Sequence, residues 1–77
     1  MIRIILKSER VEFILARKNC TKMEFAKKIG ISAEYFYQML SGHRCPSADM
    51  RDKIMTALRI KDRKWDDIFQ VRNSEHL

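Results

Sequence analysis

The sequence predicts an all-α fold: a compact five-helix bundle that contains a helix-turn-helix, with an N-terminal strand as an option. Three observations support this prediction. The chain has 77 residues, 45% of them hydrophobic, which is enough for one small core and one domain. It has only two glycines and one proline, which disfavours a loop-rich or all-β scaffold. Apolar residues recur at three- and four-residue spacing between residues that cap helices, a pattern typical of short amphipathic helices.

The first predicted helix begins at Ser8, which we expect to be its N-cap, and runs for about ten residues. Asn19 follows its end, and asparagine tolerates the left-handed conformation that closes a helix. The inward positions are expected to be Val11, Ile14, Leu15 and the stem of Lys18.

A second and a third helix follow at close spacing. A Thr-x-x-Glu capping box at Thr21 opens the second helix, Lys22 to Lys28, and Gly30 is a usual residue just past a helix end. Ser32 then caps the third helix, Ala33 to about Leu40. The inward positions are expected to be Phe25, Ala26 and Ile29 in the second helix, and Phe36, Met39 and Leu40 in the third.

Two more helices complete the predicted bundle. Ser47 is expected to cap the fourth helix, and Asp62 is expected to cap a short fifth helix. Their apolar positions are Met50, Ile54, Met55 and Leu58 in the fourth helix, and Trp65, Ile68 and Phe69 in the fifth.

The chain divides into an N-terminal extension of residues 1–7, a folded domain of residues 8–70 and a polar tail of residues 71–77 that we expect to be frayed. The β-branched character of the first six residues favours a short strand, whose unpaired edge would invite a partner strand. These residues would equally fit a segment that packs on the first helix. The sequence leaves both alternatives open.

Charge indicates the class of partner. Sixteen lysines and arginines against ten acidic residues give a net charge of +6, which attracts polyanions, and nucleic acid before anionic membrane. The basic residues do not gather on one face of a long amphipathic helix, so we expect no membrane partner. Two cysteines make no disulfide framework, and the N-terminal apolar run is too short for a signal peptide or a membrane span. We therefore expect a cytoplasmic protein.

The segment from Thr21 to Pro46 carries an ordered set of features. It consists of Thr21-Lys-Met-Glu-Phe-Ala-Lys-Lys-Ile-Gly-Ile-Ser32, then Phe36-x-x-Met39, Gly42 and Pro46. Its two helices are joined too briefly to lie antiparallel, so we expect them to cross steeply, as in a helix-turn-helix. The set resembles the helix-turn-helix of the lambda-repressor-like (Cro/Xre) transcription regulators. The resemblance extends from about Val11 to Phe69.

This resemblance implies a sequence-specific, double-stranded DNA-binding regulator, of the repressor type found in phages, plasmids and mobile elements. Such a protein is not an enzyme and needs no cofactor. One module reads too few base pairs for useful selectivity, so we expect a homodimer on a pseudo-palindromic site. The expected dimer surface is either the segment Met1–Leu6 or the last helix.

Two positions depart from the pattern of the family. An arginine in the first helix of the family commonly pairs with a glutamate near the end of the third, and the matching positions here are Leu15 and Leu40. Both partners are apolar, so neither charge is left unpaired and the expected fold stands. A glutamine that often begins the second helix is replaced by Lys22, whose charge suits a phosphate at least as well.

The face of the third helix opposite the core is expected to contact base edges. The family positions that meet bases correspond to Ala33, Glu34 and Gln38, and Tyr37 shares their face. Glutamine can form a bidentate pair with adenine, and glutamate can accept a hydrogen bond from the cytosine amino group. The predicted base-reading residues are Ala33, Glu34, Tyr37 and Gln38.

Residues around this face are expected to bind DNA phosphates. The amino ends of the second and third helices carry free amides and a partial positive charge, which attract anions. Other candidates are a tyrosine at the edge of the face and the basic loop after the third helix. The predicted phosphate-binding residues are Thr21, Lys22, Ser32, Tyr35, His43 and Arg44.

The sequence offers one alternative function and excludes others. The two tyrosines and Glu34 would also fit a protein-interaction module that keeps the fold without reading DNA. Cys20, His43 and Cys45 lack the paired spacing of a zinc site, so no metal is expected. No glycine-rich phosphate loop or nucleophile–base pair indicates catalysis or a small-molecule substrate.

Overall fold

In the computed structural model, which describes residues 2–73, a strand at each end of the chain encloses five helices. In chain order the elements are β1 (Ile2–Leu6), α1 (Ser8–Arg17), α2 (Lys22–Lys28), α3 (Ala33–Leu40), α4 (Ala48–Leu58), a 3₁₀ turn (Asp62–Lys64), α5 (Trp65–Ile68) and β2 (Phe69–Asn73). The prediction of an all-α fold is therefore wrong, because the protein is mixed α/β.

The two strands form an antiparallel sheet in which Ile4 lies opposite Val71 and Leu6 lies opposite Phe69. The backbone N–H of Lys7 donates to the carbonyl oxygen of Ile68 at 2.8 Å and continues this ladder. Of the two alternatives for the N-terminal segment, the strand is the one observed. Residues 71–73, expected in a frayed tail, lie in β2, whereas residues 74–77 fall outside the described part of the chain.

Phe69 explains why the C-terminal strand was missed. Its spacing from Trp65 and Ile68 fits one face of a helix, and Phe69 is buried as that pattern predicts. Its backbone is nevertheless extended, with φ −121° and ψ 151°, so the helix ends at Ile68 and the chain turns into β2. This extended conformation depends on pairing with β1, which lies more than 60 residues away in sequence. The spacing of nearby apolar residues therefore could not predict it.

One core joins the helices to the base of the sheet. The rings of Phe25 and Phe36 lie 5.3 Å apart between centroids and connect α2 to α3, and Trp65 and Phe69 pack at 5.1 Å. Lys18, whose stem was expected inside, is exposed, so that prediction is wrong. The buried apolar residues are Leu6, Val11, Leu15, Phe25, Ala26, Ile29, Phe36, Met39, Met50, Ile54, Met55, Leu58, Ile68 and Phe69.

Three of the five predicted N-caps are confirmed. The side-chain oxygens of Thr21, Ser32 and Ser47 each accept a hydrogen bond from a backbone N–H three residues later. Ser8 is not a cap: Lys7 precedes the helix, and the Ser8 hydroxyl donates to the Leu40 carbonyl oxygen at the end of α3. Asp62 is not a cap either, since it is the first residue of the 3₁₀ turn.

The helices α1 to α4 all end with the same pair of backbone hydrogen bonds. At the end of α2, the Ile31 N–H donates to the Ala26 carbonyl and the Gly30 N–H donates to the Lys27 carbonyl. This Schellman motif requires a left-handed residue, and Gly30 supplies it at φ +80°. Asn19, Gly42 and Arg59 hold the same place after α1, α3 and α4.

Candidate nucleic-acid interface

The turn between α2 and α3 sets how the third helix sits on the core. Gly30 stops α2, and Ser32 begins α3 by accepting a hydrogen bond from the Tyr35 N–H at 3.1 Å. Only four residues separate the two helices. Phe36 and Met39 are fully buried on the inner side of α3, so the other side of this helix faces outward.

The predicted base-reading residues lie on the outer side of α3 with different degrees of exposure. Glu34 is exposed, and Tyr37 is 45% exposed. Ala33 and Gln38 are half-buried. None of the four belongs to the buried core, so all are accessible to a ligand that approaches α3 from outside.

The loop after α3 is fixed to the last turn of that helix. The Gln38 carbonyl oxygen accepts from the backbone N–H groups of His43, at 2.9 Å, and Arg44, at 3.1 Å. The His43 Nδ1 lies 2.7 Å from the Ser41 hydroxyl oxygen. Both predicted phosphate-binding residues of this loop are exposed, and their backbone is held by the helix that carries Gln38.

Tyr35 has a different environment from the one expected for a phosphate-binding residue. Its side chain is half-buried and packs against the core. The Arg44 guanidinium lies over the ring, 5.1 Å from its centroid, an arrangement that allows a cation–π interaction. The tyrosine therefore supports the position of Arg44, whose charge remains at the surface.

Thr21, at the amino end of α2, takes part in the predicted capping box. Its hydroxyl oxygen accepts from the Glu24 N–H at 3.0 Å, and its own N–H donates to Glu24 Oε1 at 2.8 Å. Hydrogen bonding of the Glu24 carboxylate to the backbone N–H of Thr21, and to the Thr21 side chain, holds the pKa of this carboxyl below its ordinary value of 4.5. Two of the backbone N–H donors that a phosphate would use here, those of Thr21 and Glu24, are thus occupied within the chain.

Lys22 is shared between two neighbours at the boundary of α1, α2 and α3. Its Nζ lies 3.4 Å from Glu12 Oε1 and 6.0 Å from the centroid of the Tyr37 ring. Both members of the ion pair are nearly half exposed, so solvent screens the attraction. A phosphate that binds Lys22 has to compete with the Glu12 carboxylate.

Two residues near this surface were missed from the sequence. Glu12 belongs to α1, and no spacing rule connects it to Lys22 of another helix. Arg3 belongs to β1, yet its Nη2 donates to the Gly42 carbonyl at 3.3 Å and its Nε to Cys45 Sγ at 3.3 Å. Arg3 therefore joins the sheet to the loop after α3. No local pattern could have revealed this contact, because 39 residues separate Arg3 from Gly42.

The two leucines that the resemblance matches to a charged pair lie against the core. Leu15 is buried, and Leu40 is half-buried against the core. Within residues 2–73 no buried side-chain nitrogen or oxygen lacks a hydrogen-bond partner. Among these residues, neither leucine therefore faces a buried charge or polar group that lacks a partner.

Two other features of the described residues concern possible metal ligands and apolar helices. Between Ile2 and Asn73, no group of three or more histidine, cysteine or acidic side chains is arranged to hold a metal ion. Cys20 is half-buried and Cys45 is exposed. No helix in this part of the chain is both long and apolar enough to cross a membrane, the longest being α4 with 11 residues.

Comparisons with models of known protein families, with curated proteins and with solved structures find no match to this chain. The resemblance of residues 21–46 to the Cro/Xre regulators therefore stays a prediction from the sequence.

Proposed function

We propose that the chain is a sequence-specific DNA-binding transcription regulator that lays α3 in the major groove of a duplex. The observation that carries this proposal is the outer side of α3. Glu34, Tyr37 and Gln38 stand on a short helix at the surface, with groups that can meet base edges. The major groove of B-DNA admits an α-helix, and such side chains can discriminate between base pairs there.

Positive charge around α3 supports the same proposal. Arg44 follows the helix, and Lys22 lies beside Tyr37. The chain as a whole carries a net charge of +6. Contacts between such cations and phosphates would supply most of the affinity, and the outer side of α3 would supply the specificity.

The Cro/Xre resemblance narrows the proposal to a repressor of phage, plasmid or mobile-element type. Such a regulator works on DNA in the cytoplasm of a bacterium or of a phage-infected cell. A single α3 contacts few base pairs, so we propose that two copies bind the two halves of a pseudo-palindromic site.

The proposal is tested by selecting bound fragments from a pool of random duplexes. Recovery of one sequence, repeated in inverted orientation, is the expected result. Affinity for that sequence should exceed affinity for random duplex by at least about 10³-fold, and both should fall steeply as salt rises. Failure to enrich any sequence, together with salt-independent binding, contradicts the proposal.

A second candidate is a protein-interaction module. The observation that favours it is the carboxylates near Tyr37: Glu12 is paired with the neighbouring Lys22, and Glu34 is exposed on α3. Phosphates repel carboxylates, whereas a protein partner can pair with them and bury the tyrosine ring. The salt titration separates the two candidates, because only the DNA-binding protein loses affinity for random duplex steeply as salt rises.

A further inference from the structure

Only one edge of β1 is paired with β2. One hydrogen bond shows which backbone N–H and C=O groups of β1 point toward β2 and which point away from it. The Lys7 N–H donates to the Ile68 carbonyl, so these two residues form a hydrogen-bonded pair of the antiparallel ladder. Such pairs alternate along a ladder with pairs that do not bond. In the observed register, the backbone N–H and C=O groups of Ile5 and Arg3 therefore point toward β2. The backbone groups of the residues between and beside them point away from β2.

The residues of β1 that point away from β2 are Ile2, Ile4 and Leu6. Within residues 2–73, no backbone hydrogen bond outside the ladder reaches β1. The backbone groups of Ile2 and Ile4 therefore form an unpaired edge, the kind of surface that accepts another strand, whereas Leu6 is buried at the base of the sheet. Ile2 is also 67% exposed, although its side chain lies on the same face of the sheet as buried Leu6.

Protection of this edge is weak. Soluble proteins protect free edges with lysine, proline, bulges or inward-pointing charges. β1 has none of the first three, and its single charged residue, Arg3, is held by Gly42 and Cys45. β2 has a more polar sequence, FQVRN, and its last four residues are exposed. A sheet of two strands is also marginal on its own, so added strands would stabilise it.

We infer that a second copy of this chain pairs with β1 through this edge, antiparallel and centred on Ile4, to make a four-stranded sheet. In this register Ile4 lies opposite Ile4 of the other copy, and Ile2 lies opposite Leu6. The outward N–H and C=O groups of Ile4 then pair with those of Ile4 in the other copy, and Ile2 comes beside the base of the other sheet.

Charge and apolar surface fit the same register. Arg3 lies opposite Ile5 of the other copy, so no like charges face each other across the new pair. Ile2, which is mostly exposed in one copy, meets Leu6 at the base of the other sheet. The apolar face thus continues from one copy to the next, and the exposed tip of each β1 is covered.

This inference names the surface that joins the two copies of the proposed function, and it is tested without DNA. The variant is Ile4→Pro, which removes the N–H that points to the second copy and leaves the ladder to β2 intact. The matched control is Val71→Pro. Val71 is the cross-strand partner of Ile4, and its N–H points away from β1 on the other edge.

Sedimentation equilibrium of the full chain, at concentrations up to about 0.5 mM, measures the dimer dissociation constant. We expect a dimer for the unmodified chain and for Val71→Pro, and a dissociation constant raised about tenfold or more by Ile4→Pro. Monomers of the unmodified chain throughout this range overturn the inference. So does a dimer that Ile4→Pro leaves unchanged, or one that Val71→Pro weakens equally.

Two further measurements keep the test decisive if Ile4→Pro does not fold. Ile2→Pro removes another outward N–H at an exposed side chain, and it should weaken the dimer as well. In the unmodified chain, hydrogen exchange of the Ile4 amide should slow as protein concentration rises, while the Val71 amide should not change. The reverse pattern overturns the inference. Loss of DNA binding with an intact dimer contradicts only the proposed function.

Discussion

The Nζ of Lys22 lies 3.4 Å from Oε1 of Glu12, which joins α2 to α1 at the edge of the proposed DNA-binding surface. Both side chains are close to half exposed, so the pair contributes little to stability. The Lys22–Glu12 ion pair should affect DNA binding more than it affects stability. The carboxylate occupies the cation that a phosphate would use, and it adds a negative charge where the duplex is proposed to lie.

Glu12→Gln should strengthen binding to DNA. The substitution releases Lys22 and removes a charge that repels phosphates, so affinity should rise about two- to fivefold at low salt, for specific and random duplex alike. Fluorescence anisotropy of a labelled duplex measures the change. Glu9→Gln is the control, because Glu9 belongs to the same helix, whereas the carboxylate paired with Lys22 is that of Glu12. Equal effects of the two variants would show that only net charge matters.

Gln38→Ala should separate base recognition from general affinity. If Gln38 pairs with a base, the variant loses about 1–3 kcal/mol on the selected site and little on random duplex. Gln70→Ala is the control, since it removes the same side chain from exposed β2. Equal losses on both duplexes for Gln38→Ala would contradict base recognition at this residue.

Arg44→Ala should weaken binding to every duplex alike. Its guanidinium lies over the Tyr35 ring, in a loop that the Gln38 carbonyl holds, so it is set for a phosphate. The slope of log affinity against log salt should fall by about one. Arg63→Ala, in the exposed 3₁₀ turn, serves as the control and should leave the slope nearly unchanged. A loss confined to one sequence would instead indicate base contact by Arg44.

The features predicted correctly from the sequence depend on residues close together in the chain. Thr21 and Ser32 cap helices by bonds to amides three residues later, and Gly30 closes α2 by its own conformation. Short-range geometry fixes these features, so local pattern is sufficient to predict them.

The features that were missed depend on distant residues. Ser8 has a good capping sequence, yet its hydroxyl donates to Leu40, 32 residues away. The strand pairing of Ile4 with Val71 and the contact of Arg3 with Gly42 are equally remote. The outer side of α3 could be predicted because Phe36 and Met39 fix its inner side. The residues that surround this side of α3 could not be predicted, because Glu12 belongs to α1 and Arg3 belongs to β1.

The capping box of α2 predicts a pH dependence of stability. The hydrogen bonds from Thr21 hold the pKa of Glu24 below its ordinary value of 4.5. Because folding lowers this pKa, the stabilisation is complete above 4.5 and is lost as the pH falls through the lowered folded-state value. Glu24→Gln should therefore melt at a lower temperature than the unmodified chain at pH 7, and the difference should shrink toward pH 3.

Thermal unfolding followed by circular dichroism from pH 7 to 3 measures this difference. Glu34→Gln is the control: Glu34 lies in the first turn of α3 but belongs to no capping box. Its difference from the unmodified chain should change less with pH. A Glu24→Gln difference that stays constant across the range would contradict the role of the ionised carboxylate.

Arg59→Gly should stabilise the protein. Arg59 adopts φ +59° at the end of α4, where a β-carbon clashes with the neighbouring backbone and glycine does not. Relief of that clash, offset in part by the greater freedom of glycine in the unfolded chain, should raise the free energy of unfolding by about 0.5–1 kcal/mol. Asn19→Gly is the matched control at φ +54°, and it should change stability less because asparagine tolerates this conformation. Urea unfolding of both variants measures the effect. Destabilisation by Arg59→Gly would mean that the arginine side chain contributes more through its contacts than its backbone strain costs.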